Sequence, residues 1–239
     1  MMSNKHLIPR IYGKAAQTLL QYFYTHNIHN QDYIYMMHSV GDRNDFNIDV
    51  DMFKKFIEWC YGKSVRPLGF WNDICYEKNE KTICLTFDDV RESVYQRAFP
   101  ILKRYKMPFT IFVATDLLDT EGYISTRQLK EMAESPLCTV GSHGKSHIAY
   151  RFNPKALKSE LVESNDILKQ LVGKNIDYFA FPYGSVFACS LENVVVVSES
   201  GLYKNAFSTI SSPYDAGKIK NPFFIPRVNV TNKLIKELL

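Results

Sequence analysis

Residues 81–90 read KTICLTFDDV, and the rest of the chain is arranged around them. Ile83, Leu85 and Phe87 alternate with Thr82, Cys84 and Thr86, a short apolar and β-branched run that reads as a buried strand. It ends in two adjacent carboxylates, Asp88 and Asp89, followed by a helix-like segment from Arg91 to Tyr105. Neighbouring side chains at a strand end point in different directions, so one acid can face a metal while the other faces a substrate or a water. Asp is also a favoured helix N-cap, which is the plainer explanation of the pair when it stands alone.

Composition narrows the class. A chain of 239 residues fits one large α/β domain over 1–239, with residues 1–30 as an N-terminal helical extension centred on Ala15–Tyr24. A hydrophobic share of 46% with 14% aromatics supplies a sizeable core and argues against disorder. The net charge of +4 is scattered, with no dense Lys/Arg run, so a nucleic-acid partner is not expected. The five cysteines are odd in number and form no C-x-x-C pair, which points to a reducing compartment. No apolar h-region opens the chain and no run approaches the ~20 apolar residues of a membrane span. A cytoplasmic protein without a transmembrane segment is therefore expected.

Outward from the central strand, periodicity predicts strands at Asp32–Val40, Phe109–Ala114, Cys138–Ser142, Tyr178–Phe181, Asn205–Thr209 and Phe223–Val230. Helices are predicted at Asp49–Cys60, Thr126–Ala133, Leu191–Ser200 and Thr231–Leu239, with a long one opened by Asn153-Pro154 and closed by Gly173. Pro100 either kinks its helical segment or begins a second piece of it. Ser64–Glu77, broken by Pro67 and Gly69, reads as a loop with a short helix. About seven strands alternating with helices argue for parallel βαβ units, wound into a barrel or a doubly wound sheet. In a barrel, chemistry gathers where strands end, and His38, Asp88, Asp89, His143, His147 and Tyr183 all fall at such positions.

Ser142-His143-Gly144-Lys145-Ser146-His147 places two histidines four apart. On a helical turn such residues share a face. Two imidazoles and one carboxylate make a facial set able to hold a transition metal with open positions. The spacing alone is common on helix surfaces; its conjunction with Asp88-Asp89 in an α/β chain is what carries weight. In these residues the chain resembles the NodB-type polysaccharide deacetylases, a carbohydrate esterase family acting on chitin, peptidoglycan and poly-N-acetylglucosamine. Thr86-Phe87-Asp88-Asp89 resembles its TFDD motif, Ser142 to His147 its second motif, and Phe179-Ala180-Phe181-Pro182-Tyr183-Gly184 the FAYPYG form of its third. Met37-His38-Ser39-Val40 is similar to the YHxV segment of the circularly permuted poly-N-acetylglucosamine deacetylase branch.

The resemblance implies an irregular (β/α)7, TIM-like barrel and a metal-dependent hydrolase that removes N-acetyl groups from an amino sugar in a glycan or glycan precursor. It implies Asp89, His143 and His147 as ligands of one divalent metal, zinc above cobalt or nickel. Asp88 would be the general base, His38 the general acid, and the Tyr183 backbone N–H an oxyanion donor. Three departures stand out. Val90 occupies the place of a glycine after TFDD, and a β-branched residue resists positive φ, so a different turn is expected. Ala180 occupies the place of an arginine that pairs with the catalytic Asp, and Arg227, in Pro226-Arg227-Val228, is expected to orient Asp88 instead. No counterpart of the family's Asp/Trp motif is found at Trp59 or Trp71. These departures leave two other readings open: a carbohydrate-binding relative without catalysis, and an amidohydrolase acting on a non-sugar amide.

Overall fold

Along the central strand, odd and even positions go to different layers. β5 spans Thr82–Asp88 and is buried throughout. Ile83, Leu85 and Phe87 join the large apolar cluster shared with the helices, whereas Cys84 joins a small one with Ile34, Phe112, Ala180, Phe207 and Ile225. Period-two alternation thus separates the sheet–helix layer from the inside of a curled sheet. Thr86 and Asp88 share the parity of Cys84 and face that interior.

The computed structural model describes residues 32–43, 46–69, 82–150, 154–214 and 221–239. The expected helix at Ala15–Tyr24, the cap at Asn153 and Trp71 lie outside the described residues. Around β5 stand β1 (Tyr33–Met37), β6 (Phe109–Val113), β7 (Cys138–Ser142), β8 (Tyr178–Ala180), β9 (Asn205–Phe207) and β10 (Val228–Asn229), in the order β10-β1-β5-β6-β7-β8-β9. Every pairing is parallel. The seven strands curl into the expected (β/α)7 barrel-like sheet, with helices outside. A separate short pair, β2 (Ser39–Val40) and β3 (Asn47–Ile48), follows β1.

Local chemistry explains the helices. In α1 (Val50–Tyr61), Phe53, Phe56, Ile57 and Cys60 are buried at helical spacing, with Asp49 at the N-cap. Residues Val94–Ala98 form a π turn, and α2 (Phe99–Arg104) continues from it with Pro100 in its first turn. Pro100 has no N–H for the Gln96 carbonyl and its ring crowds that turn, which widens; the segment stays helical through it, so Pro100 distorts one continuous segment and does not begin a new one. α3 (Thr126–Glu134) opens on a capping box between Ser125 and Gln128. α4 (Pro154–Val172), α5 (Leu191–Glu199) and α6 (Asn232–Leu238) complete the described set. Among the described residues no helix is long and apolar enough to cross a membrane. Cys60, Cys84, Cys138 and Cys189 are all free and buried.

Three expectations change. Ser64–Val65 is a short strand, β4, paired with Thr82 and Ile83, in place of the loop start. The single strand expected at Phe223–Val230 is split. Ile225 bridges Phe207, Val228 pairs with Tyr35, and Pro226-Arg227 lies between. Pro226 cannot donate to a ladder, so pairing is interrupted there and resumes on the other side of the seam. This segment links the two ends of the curled sheet. The third change concerns Val90. The turn after β5 keeps left-handed backbone despite the valine, with φ of 61° at Asp89 and 51° at Val90. The Val90 side chain is fully buried, so packing holds a conformation its β-branch disfavours.

That strain has a measurable consequence. Val90→Ala and Val90→Gly both lose buried methyl groups, but only glycine escapes the left-handed penalty. The glycine variant should be about 1 kcal/mol more stable than the alanine variant in urea titrations, against the usual order. Alanine above glycine would mean that the turn relaxes out of positive φ.

Candidate metal and acid–base site

Barrel curvature brings Arg227 into the interior beside Asp88. Both side chains are fully buried, at 0% and 1% exposure. Arg227 Nη1 and Nη2 donate to Asp88 Oδ1 and Oδ2, each at 2.6 Å. Nε donates to the Ser208 carbonyl at 3.0 Å, and Nη1 also reaches Thr86 Oγ1 at 3.2 Å. Thr86 in turn donates to the Tyr35 carbonyl, and the Phe112 ring lies 5.2 Å from the guanidinium carbon. Burial pushes the Asp88 carboxyl up, but the Arg227 charge and hydrogen bonds hold it below the usual carboxylate range. Sequence reasoning did not single out Thr86 and Ser208 for this role, because a hydroxyl or carbonyl that satisfies a guanidinium has no local pattern.

The left-handed turn sends Asp89 the other way, toward the two histidines. Its Oδ1 lies 2.9 Å from His147 Nε2 and 3.4 Å from His143 Nε2. These three ligand atoms lie within 4.8 Å of one another. His143 follows β7 directly; its N–H donates to the Val113 carbonyl and its Nδ1 lies 2.8 Å from the Ala180 carbonyl. A carbonyl only accepts, so Nδ1 carries the proton and Nε2 offers a bare lone pair. Burial pushes the His143 pKa down, keeping the ring neutral. A neutral nitrogen lone pair thus faces a carboxylate oxygen, and that buried Asp89 Oδ1 has no aligned hydrogen-bond donor. Two acceptors face to face fit a shared cation. Burial pushes Asp89 up and His147 down, but mutual contact reverses both, leaving the acid well below its ordinary range and the imidazole above it.

The four-residue spacing of the histidines is not that of a helical turn. Residues 143–150 contain no helix, and Gly144 (φ 76°) and His147 (φ 51°) are left-handed. The loop is wrapped around Glu160 of α4. Its Oε2 accepts from the Lys145 and Ser146 N–H groups, both at 2.8 Å, and from Tyr150 Oη at 2.7 Å, while Oε1 accepts from Ser146 Oγ at 2.5 Å. Four donors on one carboxylate outcompete the helical i→i−4 pattern.

His38 sits between β1 and β2. Its ring lies 4.9 Å from the exposed Phe46 ring, its Nδ1 is buried without a partner among the described residues, and its charge contributes to the lowering of both Asp88 and Asp89. Tyr183 (φ 62°) lies in the turn after β8, its ring exposed and 5.0 Å from that of His147. Its carbonyl accepts from Thr209 Oγ1. Ala180 is buried in the interior cluster with Phe207 and Ile225.

Comparison with known proteins now bears on this geometry. The profile of the polysaccharide deacetylase family matches residues 76–197, just over half of the chain. The chain belongs to that family. It is 26% identical over 229 residues to a poly-beta-1,6-N-acetyl-D-glucosamine N-deacetylase of Staphylococcus aureus, covering 87% of this chain and 76% of that protein. Among solved structures, the Streptococcus pyogenes deacetylase PplD matches with a TM-score of 0.74 at 20% identity, over 87% of this chain and 96% of that one. IcaB from Ammonifex degensii matches with a TM-score of 0.72 at 24% identity, over 87% and 95%. These structural likenesses establish the shared barrel fold.

Burial makes the Asp88–Arg227 pair sensitive to the loss of either half. Arg227→Met should cost about 3–5 kcal/mol, because the charge on Asp88 is left buried and unpaired. Asp88→Asn added to that variant should restore part of the loss; strictly additive effects would mean the groups are not coupled. The sign with pH follows from the depressed carboxyl. Its stabilisation is complete above the unfolded value of about 4 and is lost as pH falls through the lower folded value. The gap between wild type and Arg227→Met should therefore narrow below about pH 4 in urea titrations.

Proposed function

We propose that this protein is a metal-dependent hydrolase that removes acetyl groups from N-acetylglucosamine units of a glycan, poly-β-1,6-N-acetylglucosamine being the first candidate because the curated relative is named for it. The observation that carries the reading is the convergence of Asp89, His143 and His147 ligand atoms beside an Asp88 clamped by Arg227.

Asp89, His143 and His147 would hold one divalent cation, zinc above cobalt or nickel, which when bound polarises the acetamide carbonyl and acidifies a water. Asp88 accepts the proton of the attacking water. Its two oxygens are engaged by Arg227, yet each keeps a further lone-pair site. The depressed basicity of Asp88 makes it a weak base towards bulk water, so its role depends on a water already acidified. Arg227 fixes the carboxylate plane and keeps it ionised. The Tyr183 backbone N–H donates to the oxyanion that forms as the carbonyl carbon becomes tetrahedral. His38, in its protonated form, gives a proton to the departing sugar nitrogen as the C–N bond breaks, and acetate and a free amine result.

The test is acetate release from poly-β-1,6-N-acetylglucosamine oligomers, chitin oligomers and an N-acetylated peptide. The β-1,6 glycan should be turned over, the activity should fall on chelation and return with zinc or cobalt, and Asp88→Asn should lower it by about 10²–10⁴-fold while retaining the metal. A fully active Asp88→Asn, or release only from the peptide, would contradict the proposal.

A further inference from the structure

His143 and His147 are held in unequal ways. His143 emerges from the end of β7 and is pinned at its backbone by Val113 and at Nδ1 by the Ala180 carbonyl. His147 lies four residues further along an irregular loop. The ring contacts described for it are Asp89, which is itself a site acid, and the faces of His143 and Tyr183. Its position therefore depends on what fixes the loop backbone.

Two elements do so. The 3₁₀ turn Thr115–Leu117 sends its Thr115 and Asp116 N–H groups to the Gly144 and Lys145 carbonyls, at 3.2 and 2.9 Å. Glu160 takes the N–H groups of Lys145 and Ser146 and the hydroxyls of Ser146 and Tyr150. The contact is close-fitting: a Cβ at Gly144 would come within 2.7 Å of Tyr150 Oη and 3.7 Å of Glu160 Oε2. Tyr150 is itself buried, so its hydroxyl needs the partner it has in Glu160. Ser146, which contributes two of the four donors, is the residue immediately before His147.

We infer that Glu160 is the positioning residue for His147: by collecting four donors from Lys145, Ser146 and Tyr150, its carboxylate sets the left-handed loop that delivers the His147 imidazole to Asp89 and His143. The inference rests on the metal site proposed above. Three of the four donors converge on Oε2, and Oε1 meets only Ser146 Oγ, a hydroxyl that donates or accepts. A glutamine can keep all four contacts, with its carbonyl at the Oε2 place and its NH₂ donating to Ser146 Oγ, whereas a leucine of similar size accepts none of them. Outer partners that orient ligands typically change metal affinity by 10–100-fold when removed, and Glu160 acts one step further out, through the backbone of the ligand's own loop. Neighbouring Glu163 offers a control. It accepts from Lys145 Nζ and Ser159 Oγ at the exposed rim and touches no backbone of the loop.

The experiment is titration of the metal-free full chain with Co²⁺, read by its visible absorption bands, which report both affinity and coordination geometry. Glu160→Leu, which removes every acceptor of the clamp, should weaken Co²⁺ binding by about 10–100-fold and alter the band pattern. Glu163→Gln should bind within about twofold of wild type, as its partners lie outside the clamp. Should Glu160→Leu fail to fold, Tyr150→Phe decides: it removes one of four donors, keeps the buried ring, and should give a smaller loss of affinity in the same direction. A folded Glu160→Leu with wild-type affinity and spectrum, or, in its place, an unaffected Tyr150→Phe, overturns the inference while leaving the metal site standing. Wild-type protein that binds no Co²⁺ overturns both.

Discussion

Two negative charges on adjacent residues at the end of a buried strand are the constraint from which the rest of the structure follows. In a low-dielectric interior each needs its own cationic compensation, and side by side they cannot share one. The chain separates them by backbone geometry. Asp88, still in β5, follows the pleat inward and meets Arg227 in a bidentate ion pair. Asp89, one residue on and left-handed, turns toward two imidazoles. The strained turn at Asp89 and Val90 is what makes two identical side chains chemically different.

Arg227 comes from the segment that joins the two ends of the curled sheet, flanked by Ile225 against β9 and Val228 against β1. Closure of the fold and completion of the buried ion pair are therefore one event. A chain that did not bring this segment home would leave a charged Asp88 in an apolar barrel. The Thr86 hydroxyl and the Ser208 carbonyl finish the guanidinium's hydrogen bonding, so the pair is satisfied on every side that the interior presents.

Much of this was legible in the residues. Strands at Tyr33–Met37, Phe109–Val113 and Cys138–Ser142 and the helix at Val50–Tyr61 have the periodicities their burial demands. The grouping of Asp89 with His143 and His147, and the approach of Arg227 to Asp88, followed from motif resemblance rather than from physics of spacing. What was not legible depended on distant partners. Val90 was expected to force another turn, but tertiary packing of its side chain overrides its local preference. The two histidines share a loop that a carboxylate in a helix beginning seven residues after His147 gathers, and no local pattern marks that partner. Pro226 marked the break in the last strand, yet only the curvature of the sheet shows that its halves pair with opposite edges.

The account is tested most directly by anomalous diffraction at the zinc edge from crystals grown with zinc. It predicts one ion, with Asp89 Oδ1, His143 Nε2 and His147 Nε2 each about 2.0–2.2 Å away, and Asp88 outside that coordination shell, still paired to Arg227. An ion ligated by Asp88 in place of Asp89, or zinc bound only elsewhere on the chain, would contradict it.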